Sequence, residues 1–344
     1  MAFFSRLLSL ILSVIITLAP ASIKTTSQRA KDFRVTAYVV GNGFENENNI
    51  DATHFKDLTD VILFGVATFD TDGRVNLQSN FEKVLTNLKN AMKDSDARLW
   101  LNLLGPGYRT SSPVWEEQMD DQGNYHDMAF RSGNLEGNIK STLEKYDFDG
   151  IMFDYEYPLT KAHWRVFDDF IVSLDKALGD EYMIGCAISA WNTSQSRKAI
   201  KCLDLVEVMS YDIWDDDGTH ASLLGAQKCV NQMLLDGYPK DKMDMGIPFY
   251  ARPTNHGAYW YGYNGWYTQL DEKGFCVDPG TGLTFSFNTY DMVYEKTQWA
   301  IKAGLGGAMV WHYSCDIPAD NSLSLFNAIA DAKADLAKNS SSVC

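Results

Sequence analysis

Two carboxylates two positions apart, Asp154 and Glu156, follow the apolar run Ile151-Met152-Phe153. Asp149-Gly150 is a turn signal before that run and Pro158 closes it, so the stretch reads as a short buried strand. Side chains alternate along a strand, which puts both acids on one side. Two carboxyl groups that close repel, and one of them tends to hold its proton near neutral pH. An acid beside a carboxylate is the equipment for breaking a glycosidic bond. By itself the pair is equally compatible with a capped strand carrying surface acids, so the elements around it must decide.

Those elements alternate. Strand patterns occupy residues 34–40, 60–67, 98–104, the run ending in the two acids, and then 183–189, 205–211, 243–249 and 307–311. Helical periodicity marks 81–92, 135–146, 161–178, 222–235, 291–303 and 322–337. Strict βα alternation predicts a parallel sheet covered by helices. Eight such units predict an α/β fold, a (β/α)₈ TIM barrel forming a single domain over residues 32–338. A doubly wound open sheet is the alternative, but no glycine-rich phosphate loop follows the first strand. Residues 251–290, rich in Tyr, Trp and Gly, read as a long loop after the seventh strand. In such barrels the active site lies at the C-terminal strand ends. Trp115, Trp191, Trp214, Trp260, Trp266 and Trp311 fall in or near those exits. Aromatic faces stack on sugar rings, although half of these residues are expected to have core roles.

The chain has 344 residues and a formal net charge of -15. That charge argues against nucleic acid and against anionic membranes as partners. Residues 1–21 read as a secretory signal peptide: Arg6, an apolar run from Leu7 to Leu18, and the exit Ala19-Pro20-Ala21-Ser22. A signal anchor is the rival reading. The expected location is secreted and extracellular, with no membrane contact after signal removal and the protein a monomer. Six cysteines, Cys186, Cys202, Cys229, Cys276, Cys315 and Cys344, suit an oxidising compartment. Cys186 sits in an apolar strand pattern and reads as a buried thiol, whereas Cys276 and Cys315 lie in late loops and could bridge each other. No metal-type spacing occurs, so no metal site is expected. Asn192-Thr193-Ser194 and Asn339-Ser340-Ser341 are glycosylation sequons, the second within a Ser-rich tail at 339–344.

Several motifs together resemble family 18 glycoside hydrolases, the chitinases and their relatives. The first is Phe148-Asp149-Gly150-Ile151-Met152-Phe153-Asp154-Tyr155-Glu156 followed by Tyr157-Pro158. The others are Met209-Ser210-Tyr211-Asp212, Gly246-Ile247-Pro248-Phe249-Tyr250-Ala251-Arg252 and Gly306-Gly307-Ala308-Met309-Val310-Trp311. Asp70 and Gly73 echo the family's turn after the second strand. Asn102-Leu103-Leu104-Gly105 departs from its third-strand pattern, and Met152 stands where the family carries Asp or Asn.

The resemblance implies a retaining hydrolysis in which the substrate's own N-acetyl oxygen attacks the anomeric carbon. Glu156 would be the general acid and then the general base. Asp154 would orient the acetamido group and Tyr211 would donate to its oxygen. Asp212, Tyr250 and Arg252 would bind the sugar, with Trp311 as its floor and Tyr38 and Met209 lining the site. For each of these the alternative role is packing inside the barrel. The implied partner is an N-acetylglucosamine-containing glycan, chitin or a chito-oligosaccharide, with no cofactor and no metal. Met152 cannot share a proton with Asp154, so slower turnover or a shifted pH optimum is expected; losing a like-charged neighbour should also lower the proton affinity of Asp154. Two other functions stay open: an endo-β-N-acetylglucosaminidase on N-glycans, and a weakly active or inactive chitinase-like lectin.

Overall fold

The structure is a computed structural model that describes residues 24–338. The expected signal peptide, the Ser-rich tail with its Asn339 sequon, and Cys344 lie outside the described residues. Eight parallel strands close into a barrel: β1 (Arg34–Val40), β2 (Asp60–Phe64), β3 (Arg98–Leu103), β4 (Gly150–Asp154), β5 (Met183–Ile188), β6 (Leu205–Val208), β7 (Met243–Pro248) and β8 (Gly307–Trp311). Each pairs with its sequence neighbours, and β1 pairs with both β2 and β8 to complete the circle. Helices α1 (Thr26–Asp32), α2 (Phe81–Ala91), α3 (Trp115–Arg131), α4 (Leu135–Tyr146), α5 (Lys161–Leu178), α6 (Arg197–Cys202), α7 (Leu223–Asp236), α8 (Tyr290–Ala303) and α9 (Leu325–Lys338) surround it.

Alternation along the strands separates two cores. On β4, Ile151 and Phe153 face outward into the large helix–sheet core. Met152 faces inward and packs with Tyr38, Ile62, Trp100, Leu205 and Met309 in the barrel's centre. Both faces are buried, which is why the strands read as continuous apolar runs. The helices start where a hydroxyl caps them: Thr160 Oγ1 accepts from His163 N at 3.2 Å, and Thr289 caps α8 in the same way.

Below the apolar layer lies a charged base. Arg34 on β1 pairs with Asp244 on β7 at 2.7 Å, passing beneath β8. A Cβ on Gly307 would sit 2.5 Å from Asp244 Oδ1, and one on Gly306 would sit 2.0 Å from Arg34 Nη2. The Gly306-Gly307 pair is therefore what lets this ion pair cross the barrel floor. Asp60 accepts from Arg98 and from Trp100 Nε1, each at 2.8 Å.

Several expected boundaries move. The second strand stops at Phe64, and Ala67–Phe69 instead pairs with Val75–Leu77 as a hairpin outside the barrel. The sixth ends at Val208, so Met209 and Tyr211 lie beyond it. Residues 251–290 are not a loop: Tyr261–Gly262, Tyr250–Pro253, Thr284–Ser286 and Phe275–Val277 form a four-stranded antiparallel sheet in that order. Helix α3 lacked a periodic apolar signal because it buries Gly123, His126 and Asp127 beside Met119, Ala129 and Phe130. The possible Cys276–Cys315 bridge is not formed, and the five described cysteines are free thiols. Cys276 pairs with Phe285 on one edge strand of the added sheet, whereas Cys315 lies beside Gly262 on the opposite edge. Cys186 is buried, as its strand pattern suggested.

Candidate active site

The barrel mouth holds a cavity of about 300 Å³ at the C-terminal strand ends. Tyr38, Asp154, Glu156, Met209, Tyr211, Asp212, Tyr250, Arg252 and Trp311 all line it. The nine residues that the resemblance assigned to the site are thus brought to one place. Five elements deliver them: β1, the end of β4, the segment after β6, the strand after β7, and the end of β8.

Asp154 and Glu156 continue the inward file begun by Met152, and the intervening Tyr155 points the other way. Its ring lies flat on His126 of α3, with centroids 4.0 Å apart and an interplanar angle of 2°. Gln122 Nε2 of the same helix donates to the Glu156 carbonyl at 3.0 Å. Helix α3 is itself fixed to α5, where His163 Nε2 lies 3.2 Å from Asp120 and Nδ1 lies 3.3 Å from Asp127. Gly105 sits under the His126 ring, so close that a Cβ would fall 1.9 Å from Nε2. The divergent third-strand exit is therefore shaped to receive a histidine.

The two acids are electrostatically unlike. Burial, with the charge of Glu156 added, pushes the Asp154 carboxyl well above the usual range. Its Oδ1 has no hydrogen-bond partner among the described residues, and inward below it stands the apolar Met152. Desolvation raises this carboxyl even with no like charge at position 152. Glu156 reaches the exposed rim of the cavity, yet surrounding protein desolvates it and raises its pKa; a hydrogen bond from Tyr157 works against that rise and the charge of Asp212 adds to it. Both carboxyls are thus pushed up, Asp154 well above the usual carboxylate range.

Asp212 is held as the anion. Arg252 donates to Oδ2 at 2.7 Å and to Oδ1 at 2.8 Å, and Tyr250 donates to Oδ1 at 2.7 Å. The bonds from Arg252 and Tyr250 overcome its desolvation and carry its pKa far below the ordinary carboxylate value. Its backbone takes φ +55, a left-handed conformation that aspartate tolerates better than most residues. Tyr211 is pushed well above its usual pKa by burial, so its hydroxyl stays a proton donor. Trp311 is wedged edge-on against Phe64 at 4.8 Å and tilted against Tyr38 at 5.1 Å, which fixes its plane.

Sequence reasoning missed His220, whose buried imidazole accepts from the Asp212 backbone N–H at 3.1 Å. Its place depends on a bridge between residues 214 and 220 that leaves no trace in spacing. Trp260 also lines the cavity, from the stretch read as a loop. Among the expected aromatics, Trp214 stacks on His256 at 4.4 Å and Trp266 on Tyr261 at 5.0 Å, as packing residues do. Trp115 and Trp191 remain exposed. Among the described residues, no group of three His, Cys, Asp or Glu side chains is arranged to hold a metal ion.

Such a site can protonate a leaving oxygen from Glu156, steady a developing positive charge with Asp154, and hold a polar ligand group with Tyr211 and Asp212. Comparisons with known proteins identify a family. The family described as "Glycosyl hydrolases family 18" matches residues 34–316. Endochitinase 1 of Metarhizium anisopliae is 24% identical over 57% of this chain and 58% of its own length. The chain spans little more than half of that relative. Among solved structures, a chitinase from Flavobacterium johnsoniae superimposes with a TM-score of 0.68 at 19% identity, covering 88% of this chain and 94% of its own. A chitinase-like agglutinin from Robinia pseudoacacia reaches the same TM-score, 0.68, at 17% identity, covering 87% and 99%. At such identities the likeness establishes the fold.

Proposed function

The chain belongs to glycosyl hydrolase family 18, and from that membership we propose that it cleaves β-1,4-linked N-acetylglucosamine chains, chitin or chito-oligosaccharides. The observation that carries this reading is the inward file of Asp154 and Glu156 at the end of β4, sharing one cavity with Tyr211 and Trp311. The sugar at the cleaved bond rests on Trp311. Its acetamido oxygen, aligned by Tyr211 and Asp154, attacks the anomeric carbon while Glu156 gives its proton to the departing oxygen. Glu156, now a carboxylate, then takes a proton from the water that opens the cyclic intermediate. Configuration is retained because the anomeric carbon is inverted twice. We also propose that the protein is secreted by means of its leader segment and acts as a monomer outside the cell.

A second reading is favoured by Met152 alone: a barrel that binds chito-oligosaccharides with little or no turnover. Product analysis decides among the possibilities. Chito-oligosaccharides and a high-mannose glycopeptide are offered in parallel to the wild type and to Glu156→Gln. The proposal expects shortened oligosaccharides from the wild type and a loss of about 10²–10⁴-fold in kcat for the variant. Cleavage of the glycopeptide alone would move the activity to N-glycans, and binding without products would identify a lectin. Full activity in Glu156→Gln would remove Glu156 from the mechanism.

A further inference from the structure

Lys296 is a buried cation that the proposed chemistry leaves unused. It stands on α8 and is 1% exposed. Among the described residues no carboxylate pairs with it; its ammonium donates instead to the Ala221 carbonyl and to Asn288 Oδ1. An ammonium taken out of water without a counter-ion destabilises a fold, so a protein that keeps one there is a candidate for a functional use of it.

Both bonds lead to Asp212. Asn288 Nδ2 donates to the His220 carbonyl at 3.1 Å, and the His220 N–H donates to Ser286 Oγ at 3.0 Å. Lys296 therefore pins two successive carbonyls, that of Ala221 directly and that of His220 through Asn288. Ala221 has φ +50, a left-handed conformation that alanine holds only where its surroundings impose it. The His220 ring so placed accepts from the Asp212 N–H, and the Asp212 carboxylate accepts from Arg252 and Tyr250. Neither Lys296 nor His220 lines the cavity. We propose that Lys296 is a positioning residue for Asp212: its ammonium fixes the backbone at 220–221 and keeps the His220 ring unprotonated, so that the carboxylate stands preformed for the sugar.

The His220 ring can serve Asp212 in only one of its two protonation states. Its Nε2 lies 3.1 Å from the Asp212 backbone nitrogen and 3.2 Å from Oδ1. Bare, Nε2 accepts from the backbone. Protonated, it would turn to the carboxylate, compete with Arg252 and Tyr250 for Oδ1, and leave the Asp212 N–H without an acceptor. The surroundings choose the bare state. Burial is the largest influence and disfavours the proton; Asp212 favours it, and the charges of Lys296 on α8 and Arg252 on the strand after β7 oppose it. Trp214 and Tyr250, whose rings lie 5.6 and 5.5 Å away, close the remaining sides without charge. Burial also brings the Lys296 pKa down to about 7. The lysine is thus charged below neutrality, the range in which a histidine gains its proton.

This inference rests on the proposed hydrolysis, and its test separates the two. Wild type, Lys296→Met, Lys296→Gln, and Lys296→Met combined with His220→Gln are assayed on hexa-N-acetylchitohexaose from about pH 5 to about pH 8. Turnover by the wild type tests the hydrolysis. Lys296→Met is expected to raise KM more than it lowers kcat, because Asp212 holds sugar rather than reacting. Its kcat/KM at about pH 5 relative to about pH 8 should fall about three- to tenfold below the wild-type ratio, a tenfold change being one unit of histidine pKa. Lys296→Gln, which keeps a donor and guards against a failure of Lys296→Met to fold, should lose the same acid-side activity. The combined variant should not, because its residue 220 cannot take up a proton. A lysine that only supported the fold would lower activity alike at every pH, and that result overturns the proposal while leaving the hydrolysis standing. Nuclear magnetic resonance titration of the histidine rings decides without turnover, even if the wild type cleaves nothing. The wild-type His220 ring is expected to stay neutral as pH falls past about 6.5, the ordinary histidine value, and to gain its proton at higher pH in either lysine variant. The same titration in wild type and variants refutes the role.

Discussion

Asp154 shows how one side chain's surroundings set its chemistry. Its carboxyl is raised by burial and by Glu156, so the folded protein binds a proton there that the unfolded chain releases. With more protons bound folded than unfolded, stability falls as pH rises from the unfolded value near 4 through the raised folded pKa. Asp154→Asn mimics the protonated form at every pH. It is expected to raise the melting temperature at about pH 7, with the gain shrinking toward about pH 4. Melting curves over that range check it, and a variant that loses stability equally at all pH values would contradict the assignment. The same substitution is expected to slow hydrolysis, because a neutral amide steadies the positive charge poorly. Site residues can be costly to stability when they are suited to chemistry. Asp212 has the opposite sign: its depressed pKa stabilises the fold above the ordinary carboxylate value and ceases to do so as pH falls through the folded one.

Helix α3 is the element on which the site's geometry leans. It meets the catalytic loop through Gln122, its His126 supports Tyr155, and its first residue supplies Trp115. The contact that seats it is the close approach of His126 to Gly105. Gly105→Ala forces that ring to move and with it the stack beneath the Glu156 loop. A destabilisation of about 1–3 kcal/mol is expected from the overpacking, together with a fall in kcat larger than that from a surface substitution on α4. Denaturant melts and steady-state kinetics measure the two effects. A variant with normal stability and kinetics would show that α3 seats itself by other contacts.

At the scale of the whole molecule, the barrel divides along its axis. The mouth carries the reacting groups and the floor carries a charged base that takes no part in them. Arg34 spans β1 to β7 through Asp244, whose side chain is fully buried. Arg34→Met leaves that carboxylate without its cation and is expected to cost about 3–5 kcal/mol. Because the floor lies at the opposite end from the cavity, the KM of the surviving folded fraction should stay near the wild-type value. Urea titration and kinetics below the melting range test both statements. Buried Glu207, whose oxygens have no hydrogen-bond partner among the described residues, is pushed well above the usual carboxylate range by burial and by Asp244.

Much of this fold and site was legible in the sequence. Continuous apolar runs located β1 and β8, and period-3.6 patterns located α4 and α5, to the residue, because a barrel strand is buried on both faces and a covering helix along one stripe. Strand alternation put Asp154 and Glu156 on one side, and the family resemblance named the other seven site residues that line the cavity. Other features depended on contacts between residues far apart in the chain. Helix α3 hid because its buried face is made of His126, Asp127 and Gly123 rather than a leucine stripe. The sheet after β7 hid because its strands are two to four residues long and gain stability only from one another. His220 came to Asp212 through a bridge between loop residues, and the proton on Asp154 was decided by desolvation, a property of all the atoms around it. Sequence determined which residues could do chemistry and the strand that carries the two acids. Only the tertiary structure decided how the rings of Trp115, Tyr157 and Trp191 meet, because three separate strand exits must close into one rim before those rings become neighbours.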